Sequence, residues 1–519
     1  MPMHPVARLA DLPTDRGVAV KAGAVEILLI REAQSVRAFQ AQCPHAQAPL
    51  ADGALCNGRL ICPWHKAVFD VSDGHLCEPP ALEGLKRYAV RIENGTVLVN
   101  DQADDPPQTA ATARGTANAG ATYVLIGGGA AGTAAASALR ERGYAGRLVM
   151  IDPQTEPGYD RTALSKFVIA GQMAVSALPP LRDEAFYETQ RIERLQTAVS
   201  HLDPEQQLIE LEDGTTLPYD CALIATGGEP VLPDWPGVAL QHVWPLRSRE
   251  DARHILEGTL PGTRAVVVGD SFIGLEAASA LRARGLTVTV IARHEVPFAR
   301  QFGETLGRAL RDLHERHGVV FQTGVEVAAL LGDTRVEGVR LANGERVAAE
   351  LVLLGLGVKP ATQFLDAAWL TEDGEVAVNE RLQLTDSLWA AGDIARFMLH
   401  GAPARIEHWR VAEQLGRIAA ADMLGEVLEY EGVPFFWTQQ HGQRIDYLGH
   451  ASEWDEEHII GDLRAFHFIA LLCRRGQVAA VVGCNHEAAC ALLAERLKAP
   501  LSVDEALELI QQEETRHDA

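Results

Sequence analysis

Four residues of metal-binding type stand in two short motifs near the start of the chain. The motif C-P-H, with Cys43 and His45, is followed sixteen residues later by C-P-W-H, with Cys62 and His65. Zinc accepts two thiolates and two imidazoles in a tetrahedral site. A [2Fe–2S] cluster accepts the same set, with both Cys on one iron and both His on the other. The spacing predicts a metal site and leaves these two metals open.

A glycine-rich segment follows the apolar letters YVLI and precedes a helix-like run. It reads GGGAAG from Gly127 to Gly132 and satisfies G-x-G-x-x-G. Gly127 permits a tight turn, Gly129 lets a pyrophosphate approach the backbone, and Gly132 allows close helix packing. The helix N-terminus then presents N–H groups to phosphates. Asp152 ends the next strand-like run, where it can accept from a ribose hydroxyl, so the segment predicts a dinucleotide site.

A second strand–turn–helix unit begins about 140 residues later. It reads GDSFIG from Gly269 to Gly274, so Ser271 occupies the position of the second glycine. A side chain there is expected to tighten the pocket beside a pyrophosphate. The next strand ends at Ile291 and leads to Arg293, which either contacts the 2′-phosphate of NADP or is a solvated loop arginine. We expect a mild preference for NADPH, or the use of both NADH and NADPH.

The elements that must position these groups change in type along the chain. Residues 1–100 contain short β-rich runs broken by Gly, Pro, Asp and Asn. Residues 101–122 lack apolar periodicity and are typical of a flexible linker. From residue 123 strands alternate with helices, which indicates a parallel sheet with crossovers. After about residue 430 the runs are strand-like again, and the chain ends in a helical segment.

The letters around the metal motifs, CPHAQAPLADG and CPWHKAVFDVSDG, resemble the Rieske family. The resemblance implies a [2Fe–2S] cluster on the four residues named above. The family's respiratory branch carries an extra Cys in each motif, but Gln47-Ala48 and Trp64 stand there in this chain. It therefore resembles the ferredoxin-like branch, which lies at the low end of Rieske potentials. Cys56 and Cys77 lie outside the pattern and are expected to be buried structural thiols.

The segment YDRTALSK resembles the Y-x-R-P-x-L-S-K segment of flavin-dependent ferredoxin reductases and their apoptosis-inducing-factor relatives. In that family the Arg and Lys contact FAD, although Thr162 replaces the usual Pro here. The segments ATG, AGDIA, EHW and FWT also resemble the family and imply contacts with FAD and with the nicotinamide pocket. The predicted cofactor-binding residues are Gly127, Gly129, Ala131, Gly132, Asp152, Arg161, Lys166, Val199, Thr226, Gly227, Gly269, Ser271, Ile273, Gly274, Glu276, Arg293, Gly357, Asp393, Glu407, His408, Trp409 and Trp437.

The letters GDSFIGLE resemble the apoptosis-inducing-factor-like branch that carries a Rieske domain, so Ser271 is interpreted as a feature of that branch. The resemblance implies that Glu276 faces the nicotinamide amide and that the turn containing Gly357 closes this domain. Hydride transfer between two cofactors requires no general base. The catalytic residues are therefore left unknown, with Lys166 and Glu276 as candidates for orienting and tuning.

The implied fold is α/β. It has an N-terminal β-rich Rieske domain, two Rossmann-like FAD and NAD(P) domains arranged as in glutathione reductase, and a C-terminal α+β domain. No C-x-x-C or C-x4-C pair occurs between 123 and 430, so a dithiol mechanism is not expected. The predicted bounds are 1–100 for the Rieske domain, 101–122 for the linker, 123–246 and 366–430 for the FAD domain, 247–365 for the NAD(P) domain and 431–519 for the C-terminal reductase domain.

The resemblance implies an NAD(P)H-dependent flavin oxidoreductase that passes electrons through FAD to its own Rieske cluster and on to an external acceptor. The linker would let the Rieske domain swing between these two partners. One alternative is a reductase component of a separate Rieske-type oxygenase system. Another is a redox-regulated interaction protein like the apoptosis-inducing factors. The acceptor itself, whether protein or small molecule, is not identified by the sequence.

The net charge of the chain limits the classes of partner that are expected. The formal net charge of −24 argues against nucleic acid as a partner and favours a basic docking face on any protein acceptor. No run of about 18 apolar residues predicts a membrane span, and the first residues lack a signal-peptide core. We therefore expect a cytoplasmic protein, as a monomer or homodimer.

Overall fold

A computed structural model describes residues 2–104 and 120–517. Its N-terminal strands are β1 (Met3–Arg8), β2 (Val18–Ala22), β3 (Val25–Glu32), β4 (Ser35–Gln40), β5 (Ala54–Cys56), β6 (Arg59–Ile61), β7 (Val68–Asp70), β8 (Leu76–Glu78), β9 (Arg87–Glu93) and β10 (Thr96–Asp104). Six of them form an antiparallel sheet in the order β1-β10-β9-β4-β3-β2, and β5 to β8 form a second sheet. Leu28 and Phe39 of the first sheet share a core with Leu60 and Phe69 of the second. The loops that leave β4 and β6 carry the two metal motifs.

The predicted linker over 101–122 is wrong at both ends. Strand β10 continues through Asp104, because residues 103 and 104 still pair with β9, and the next strand starts at Thr122. Residues 105–119, most of the predicted linker, lie outside the described residues. The predicted swing of the Rieske domain stays a prediction.

The central part of the chain contains the two predicted nucleotide units. Its strands are β11 (Thr122–Ile126), β12 (Arg147–Ile151), β13 (Ile192–Leu195), β14 (Val199–Asp203), β15 (Leu208–Leu211), β16 (Thr216–Pro218), β17 (Cys221–Ile224), β18 (Gly228–Pro230), β19 (Val243–Pro245), β20 (Arg264–Val268), β21 (Thr287–Ile291), β22 (Val320–Gln322), β23 (Val327–Gly332), β24 (Val336–Leu341), β25 (Arg346–Ala348), β26 (Leu351–Leu354), β27 (Val358–Pro360), β28 (Val376–Ala377), β29 (Gln383–Thr385), β30 (Leu388–Ala390), β31 (Ala395–Leu399) and β32 (Ala402–Ala404). The helices are α1 (Ala130–Glu141), α2 (Glu184–Thr189), α3 (Arg249–Glu257), α4 (Phe272–Ala283), α5 (Ala299–Arg316) and α6 (Trp409–Met423).

Two sheets with parallel cores organise these elements. The first has the order β13-β12-β11-β17-β30-β29, in which only the β29–β30 pair is antiparallel. The second has the order β19-β26-β20-β21-β22 and is parallel throughout. In each sheet a central strand leads through a glycine turn into a buried helix, α1 after β11 and α4 after β20. The predicted α/β fold with two Rossmann-like units is confirmed.

Helix α1 and helix α6 touch at their backbones. A Cβ atom on Gly416 of α6 would lie 2.2 Å from the carbonyl oxygen of Ala131 in α1, so only glycine permits this approach. Both helices bury a face rich in alanine, which lets them pack closely. The start of α6, at Trp409, is thereby held near the first glycine turn.

The C-terminal part is an antiparallel sheet covered by two helices. Its strands are β33 (Phe435–Gln440), β34 (Gln443–Gly449), β35 (Glu456–Asp462), β36 (His467–Arg474) and β37 (Gln477–Cys484), in the order β33-β34-β37-β36-β35. Helices α7 (Glu487–Arg496) and α8 (Val503–His517) follow. Ala491 and Leu492 of α7 pack with Ile61 and Val68 of the N-terminal part. In the described residues no helix is both long and apolar enough to cross a membrane.

Candidate functional site

The two metal motifs lie on paired loops of matching shape. The Cys43 N–H donates to the carbonyl of Ala48 and the Cys62 N–H to that of Ala67, each at 2.8 Å. In both loops the residue that precedes the alanine has a φ of 61°. Each loop therefore curls around its own cysteine and presents a thiol and an imidazole on the same side.

The four side chains form two pairs. The Nδ1 atoms of His45 and His65 are 3.1 Å apart, and the thiols of Cys43 and Cys62 lie within hydrogen-bonding reach of each other. Among the residues that the structure describes, no three His, Cys, Asp or Glu converge as for a single ion. Two sulfur ligands on one side and two nitrogen ligands on the other fit a cluster with two irons.

The local environment also favours a thiolate. Burial opposes ionisation of Cys62, but hydrogen bonds from Cys43 and from the N–H groups of His65 and Trp64 outweigh it and lower the pKa to about 7. The hydrogen bond with Cys62, together with burial, raises the pKa of Cys43. Burial lowers the pKa of His65, so its imidazole is neutral and has a lone pair to offer. Metal binding requires thiolate Cys and neutral His, the forms that these shifts favour at Cys62 and His65.

A cavity of about 930 Å³ lies between the Rieske part, both parallel sheets and the C-terminal sheet. This volume is large enough for a dinucleotide-sized ligand. Most predicted site residues line it: His45, His65, Gly127, Gly129, Ala131, Asp152, Arg161, Lys166, Val199, Thr226, Gly227, Ser271, Ile273, Glu276, Gly357, Asp393, Glu407, His408, Trp409 and Trp437. The predicted residues outside its lining are Cys43, Cys62, Gly132, Gly269, Gly274 and Arg293.

The first glycine turn leaves space where a pyrophosphate would lie. Gly127 has a φ of 113°, and a Cβ there would be 2.4 Å from the Ala225 carbonyl oxygen. A Cβ on Gly132 would be 1.9 Å from the Gly127 oxygen, which accounts for close helix packing. A Cβ on Gly129 meets nothing within 4 Å and would point into open space. Asp152 accepts from the Gly128 N–H at 2.7 Å and so fixes the turn.

Ser271 has a structural partner on each side. Its hydroxyl donates to the Gly355 carbonyl at 2.9 Å and accepts from the Gly274 N–H at 3.2 Å, so it caps helix α4. The expected tightening beside a pyrophosphate is thus limited, because the hydroxyl is held by the turn itself. A Cβ on Gly269 would lie 2.3 Å from the Gly355 oxygen, which explains the first glycine of this motif.

A buried ion pair lies on the cavity wall. The Lys166 ammonium is 3.0 Å from the Glu276 carboxylate, and the two side chains are only 6% and 3% exposed. Glu276 also accepts from Ser165 at 2.5 Å and from Thr438 at 2.7 Å. Three donors therefore satisfy this carboxylate.

Trp437 connects that ion pair with the metal loops. Lys166 Nζ lies 4.7 Å from the centre of the indole ring, and the His65 ring centre is 5.5 Å from it on the Rieske side. Arg444 packs over the same indole at 4.6 Å. The indole thus contacts both a predicted cluster ligand and the Lys166 ammonium, and all three side chains line the cavity.

Two arginines provide positive charge in the cavity. Burial lowers the pKa of Arg161, and the neighbouring Arg247 lowers it further. Arg247 contacts Asp393 at 3.3 Å. Paired guanidinium groups beside one carboxylate suit an anionic ligand such as a pyrophosphate. Sequence reasoning missed Arg247, because it follows β19 in a segment without a glycine motif.

The motif before α6 contributes a buried imidazole with a free nitrogen. Burial lowers the pKa of His408 to about 3, and its Nδ1 atom has no hydrogen-bond partner within the described part of the chain. Burial raises the pKa of Glu407, although Arg405 lies 2.6 Å away and opposes this shift. An orphaned buried nitrogen on a cavity wall is typical of a site that a ligand completes.

Arg293 lies apart from the cavity. It pairs with Glu326 at 3.1 Å, and both side chains are mostly exposed, Arg293 to 73%. The neighbouring His294 pairs with Asp270 of the glycine turn at 3.3 Å.

Ion pairs join the Rieske part to the rest of the chain. The fully buried Lys66 donates to Asp446 of β34 at 2.6 Å, and Glu78 accepts from Arg410 of α6 at 2.6 Å and from Gln414 at 2.8 Å. These contacts hold the metal loops against the cavity. They were not predicted, because the partners are more than 300 residues apart in sequence.

Comparisons with known proteins agree with this arrangement. The chain matches the pyridine nucleotide-disulphide oxidoreductase family over residues 121–416, the Rieske [2Fe-2S] domain over 3–89 and the reductase C-terminal domain over 435–513. Apoptosis-inducing factor 3 of Mus musculus is 32% identical, over 95% of this chain and 83% of its own length. The ferredoxin reductase component of chlorobenzene dioxygenase from Cupriavidus sp. (strain PS12) is 32% identical, over 74% of this chain and 95% of its own length.

A solved structure gives the same result. The chain resembles the crystal structure of the covalent putidaredoxin reductase–putidaredoxin complex with a TM-score of 0.72 and 27% identity, over 76% of this chain and 100% of that one. The predicted recognition, fold class and cofactors are confirmed. The chain belongs to the pyridine nucleotide-disulphide oxidoreductase family, as an NAD(P)H-dependent flavoprotein of the ferredoxin reductase type that carries a Rieske [2Fe–2S] domain.

Proposed function

We propose that this enzyme takes electrons from NAD(P)H through FAD to its own Rieske cluster and then to an external ferredoxin-type acceptor. The observation that carries the proposal is the shared cavity. His45 and His65 of the metal loops line the same space as Gly129 of the first glycine turn and Lys166. Cluster and flavin would thus be neighbours within one chain.

Bound FAD would accept a hydride from the nicotinamide and supply electrons one at a time to a one-electron carrier. The chain's own residues would bind the two cofactors and orient them. The open backbone at Gly129 and the guanidinium groups of Arg161 and Arg247 would hold the pyrophosphate. The Lys166–Glu276 pair would fix the reacting end of the cavity.

Trp437 and the metal loops would close the cavity on the Rieske side. The indole lies against both Lys166 and His65. When two redox groups are close together and shielded from water, electron transfer within the chain is favoured over loss of electrons to the solvent. The predicted bounds of the FAD, NAD(P) and C-terminal domains and the roles of the predicted site residues form part of this proposal.

The test is an anaerobic stopped-flow reduction of the iron-loaded, FAD-loaded protein by NADH and by NADPH. We expect the flavin absorbance to bleach first and the Rieske absorbance to follow in the same chain, with a rate independent of protein concentration. Cluster reduction that rises with protein concentration would show transfer between molecules and would contradict the proposal.

A second candidate is a reductase component of a separate oxygenase system. It is favoured by relatives that are themselves such components, among them the ferredoxin–NAD(+) reductase component of the biphenyl dioxygenase system from Paraburkholderia xenovorans, 32% identical over 68% of this chain. Reconstitution with an oxygenase and NADH, with and without added ferredoxin, separates the two. Turnover that needs added ferredoxin but not the Rieske cluster of this chain supports this second function.

We extend the proposal to a cytoplasmic site of action. No disulfide joins any of the eight cysteines, all of which lie within the described residues. Cysteines without disulfides are typical of a reducing compartment. Whether the enzyme acts as a monomer or a homodimer stays a prediction.

Two alanine substitutions should separate binding from folding in the first glycine turn. Gly129→Ala places a methyl group in open space, so we expect FAD content to fall several-fold while the FAD-free protein keeps its stability. Gly132→Ala forces a methyl group onto the Gly127 oxygen, so we expect a loss of about 1–3 kcal/mol in the free energy of unfolding. The ratio of flavin to protein absorbance measures the FAD content. Denaturant unfolding of the FAD-free variants measures the free energy of unfolding. Equal FAD content in Gly129→Ala and wild type would contradict this assignment of the pyrophosphate.

Cofactor preference gives a further prediction. If Arg293 contacts the 2′-phosphate, Arg293→Gln should lower kcat/KM for NADPH about tenfold and leave that for NADH unchanged, since one charge-assisted contact is lost. Arg346→Gln, an exposed arginine elsewhere in the same part of the chain, is the control. An unchanged ratio, or a hundredfold preference of the wild type for NADH, would show that Arg293 is a solvated loop residue.

A further inference from the structure

A line of buried hydrogen bonds leads from the cavity wall towards the surface. Glu276 accepts from Thr438 at 2.7 Å, and Thr438 accepts from the amide nitrogen of Gln440 at 3.2 Å. The amide oxygen of Gln440 lies 2.7 Å from His314 Nε2, and His314 Nδ1 lies 3.1 Å from His441 Nε2. The first four of these residues are buried, and His441 is half-buried.

The chemistry of each group fixes the direction of every bond. The Glu276 carboxylate, paired with Lys166, can only accept, so the Thr438 hydroxyl donates to it and must itself accept from Gln440. The Gln440 oxygen then accepts from His314 Nε2–H, which leaves His314 Nδ1 to accept from His441. Neutral imidazoles suit this order, because each has one N–H and one lone pair.

Burial keeps those imidazoles neutral. Burial lowers the pKa of His314 to about 4, although the hydrogen bond with Gln440 opposes the shift. Burial also lowers the pKa of His441 to about 3, and the nearby His314, His317 and Arg282 add to this. At neutral pH the bonds therefore run in one direction, from His441 to Glu276.

The line joins three elements that are distant in sequence. Glu276 belongs to α4, Thr438 and Gln440 to β33, and His314 to α5. Buried polar groups are costly unless every one is bonded, and apolar residues of similar size would pack here at less cost. When every member is bonded, such a network rigidifies the groups that belong to it.

We infer that Gln440 and His314 are positioning residues that act through the Thr438 hydroxyl to hold the Glu276 carboxylate against Lys166. His314 sets the orientation of the Gln440 amide, so that its nitrogen faces Thr438. Thr438 can then donate only to Glu276. This inference rests on the proposed function, which gives the Lys166–Glu276 pair its place beside flavin and nicotinamide.

The test uses two matched pairs of variants in the iron-loaded, FAD-loaded full chain. Thr438→Val removes the donor to Glu276 without a change in shape, and Thr438→Ser keeps it. His314→Phe removes the donor to Gln440, and His314→Gln retains a donor near the Nε2 position. The control is His317→Asn, because His317 contributes no hydrogen bond to the line: its Nδ1 bonds the Leu313 carbonyl and its ring stacks on His441, with ring centres 4.2 Å apart.

Three measurements are made on each protein: the flavin midpoint potential, the cluster midpoint potential and the limiting rate of flavin reduction by NADH. We expect Thr438→Val to lower the limiting rate about tenfold and His314→Phe about threefold, with little change in the NADH concentration for half-saturation. The flavin potential should shift in both variants while the cluster potential stays constant. Thr438→Ser, His314→Gln and the control should match the wild type.

A loss of thermal stability with unchanged flavin potential and rate in Thr438→Val and His314→Phe would overturn the inference. A wild-type flavin that neither NADH nor NADPH reduces would contradict the proposed function instead. The flavin potential needs no nucleotide, so its shift or constancy decides the positioning inference in that case too.

Discussion

Cys62→Ala should abolish the cluster and leave the flavin chemistry intact. Cys62 is 1% exposed and lies within hydrogen-bonding reach of Cys43, so the substitution removes one of two predicted sulfur ligands of the same iron. We expect iron to fall from about two atoms per chain to near zero. NAD(P)H should still bleach the flavin, because the glycine turn, Arg161 and the Lys166–Glu276 pair are untouched.

Electron delivery beyond the flavin should then fall by at least about 100-fold, since even the outer partners of a metal site are worth 10- to 100-fold. Iron and sulfide analysis, flavin absorbance and single-turnover reduction of a one-electron acceptor are the measurements. The acceptor must be one that the flavin alone reduces slowly, so that loss of the cluster is seen as loss of rate.

Cys77→Ala is the matched control. Cys77 lies on β8, outside the paired loops that carry the four predicted ligands, and burial raises the pKa of its thiol to about 11. This variant should keep full iron content and full electron delivery. If Cys62→Ala kept iron and turnover as Cys77→Ala does, the metal assignment would be wrong.

The metal and flavin motifs were predictable because their chemistry is local. The loop that holds Cys43 closes on Ala48, and the turn at Gly127 opens α1 within five residues. The backbone geometry of each motif is determined by its own residues, so the local sequence is enough to predict it. Ser271 shows the limit of prediction from local letters. Its hydroxyl donates to the carbonyl of Gly355, 84 residues away, and this bond determines the position of the hydroxyl in the turn.

Groups brought together across domains could not be predicted. Arg247 reaches Asp393 across 146 residues, and the line from Glu276 to His314 passes through β33. No periodicity or spacing marks such pairs, because the contacts depend on how separate sheets pack. The linker bounds failed for a related reason: the letters DQAD have low strand propensity, but pairing with β9 keeps residues 101–104 in β10.

The docked position of the Rieske part depends on a buried ion pair that can be removed. Lys66 is fully buried, and it donates to Asp446 at 2.6 Å and to the Pro63 carbonyl at 2.5 Å. Asp446 also accepts from Arg444 at 2.9 Å. Lys66 directly follows the cluster ligand His65, so any shift of this ammonium moves the metal loop.

Asp446→Asn should therefore weaken docking and slow the transfer of electrons from flavin to cluster. The substitution leaves a buried ammonium without its counter-charge, and loss of one partner of a buried pair costs about 3–5 kcal/mol. Part of this cost is expected as a lower free energy of unfolding. The rest should appear as slower cluster reduction, at an unchanged rate of flavin reduction, in the same stopped-flow record.

The double variant Lys66→Met, Asp446→Leu separates charge from packing. Replacing both members of a buried pair with apolar residues is often neutral, so stability and the rate of cluster reduction should largely recover. Arg91→Gln is the control for a general effect of charge, because the Arg91–Glu93 pair is exposed and should contribute less than about 1 kcal/mol. If cluster reduction in Asp446→Asn were as fast as in Arg91→Gln, electrons would reach the cluster from a position of the Rieske part that does not depend on this ion pair. Slow reduction in Asp446→Asn with recovery in the double variant would mean that the Rieske part receives electrons where the ion pair holds it, with His65 against Trp437.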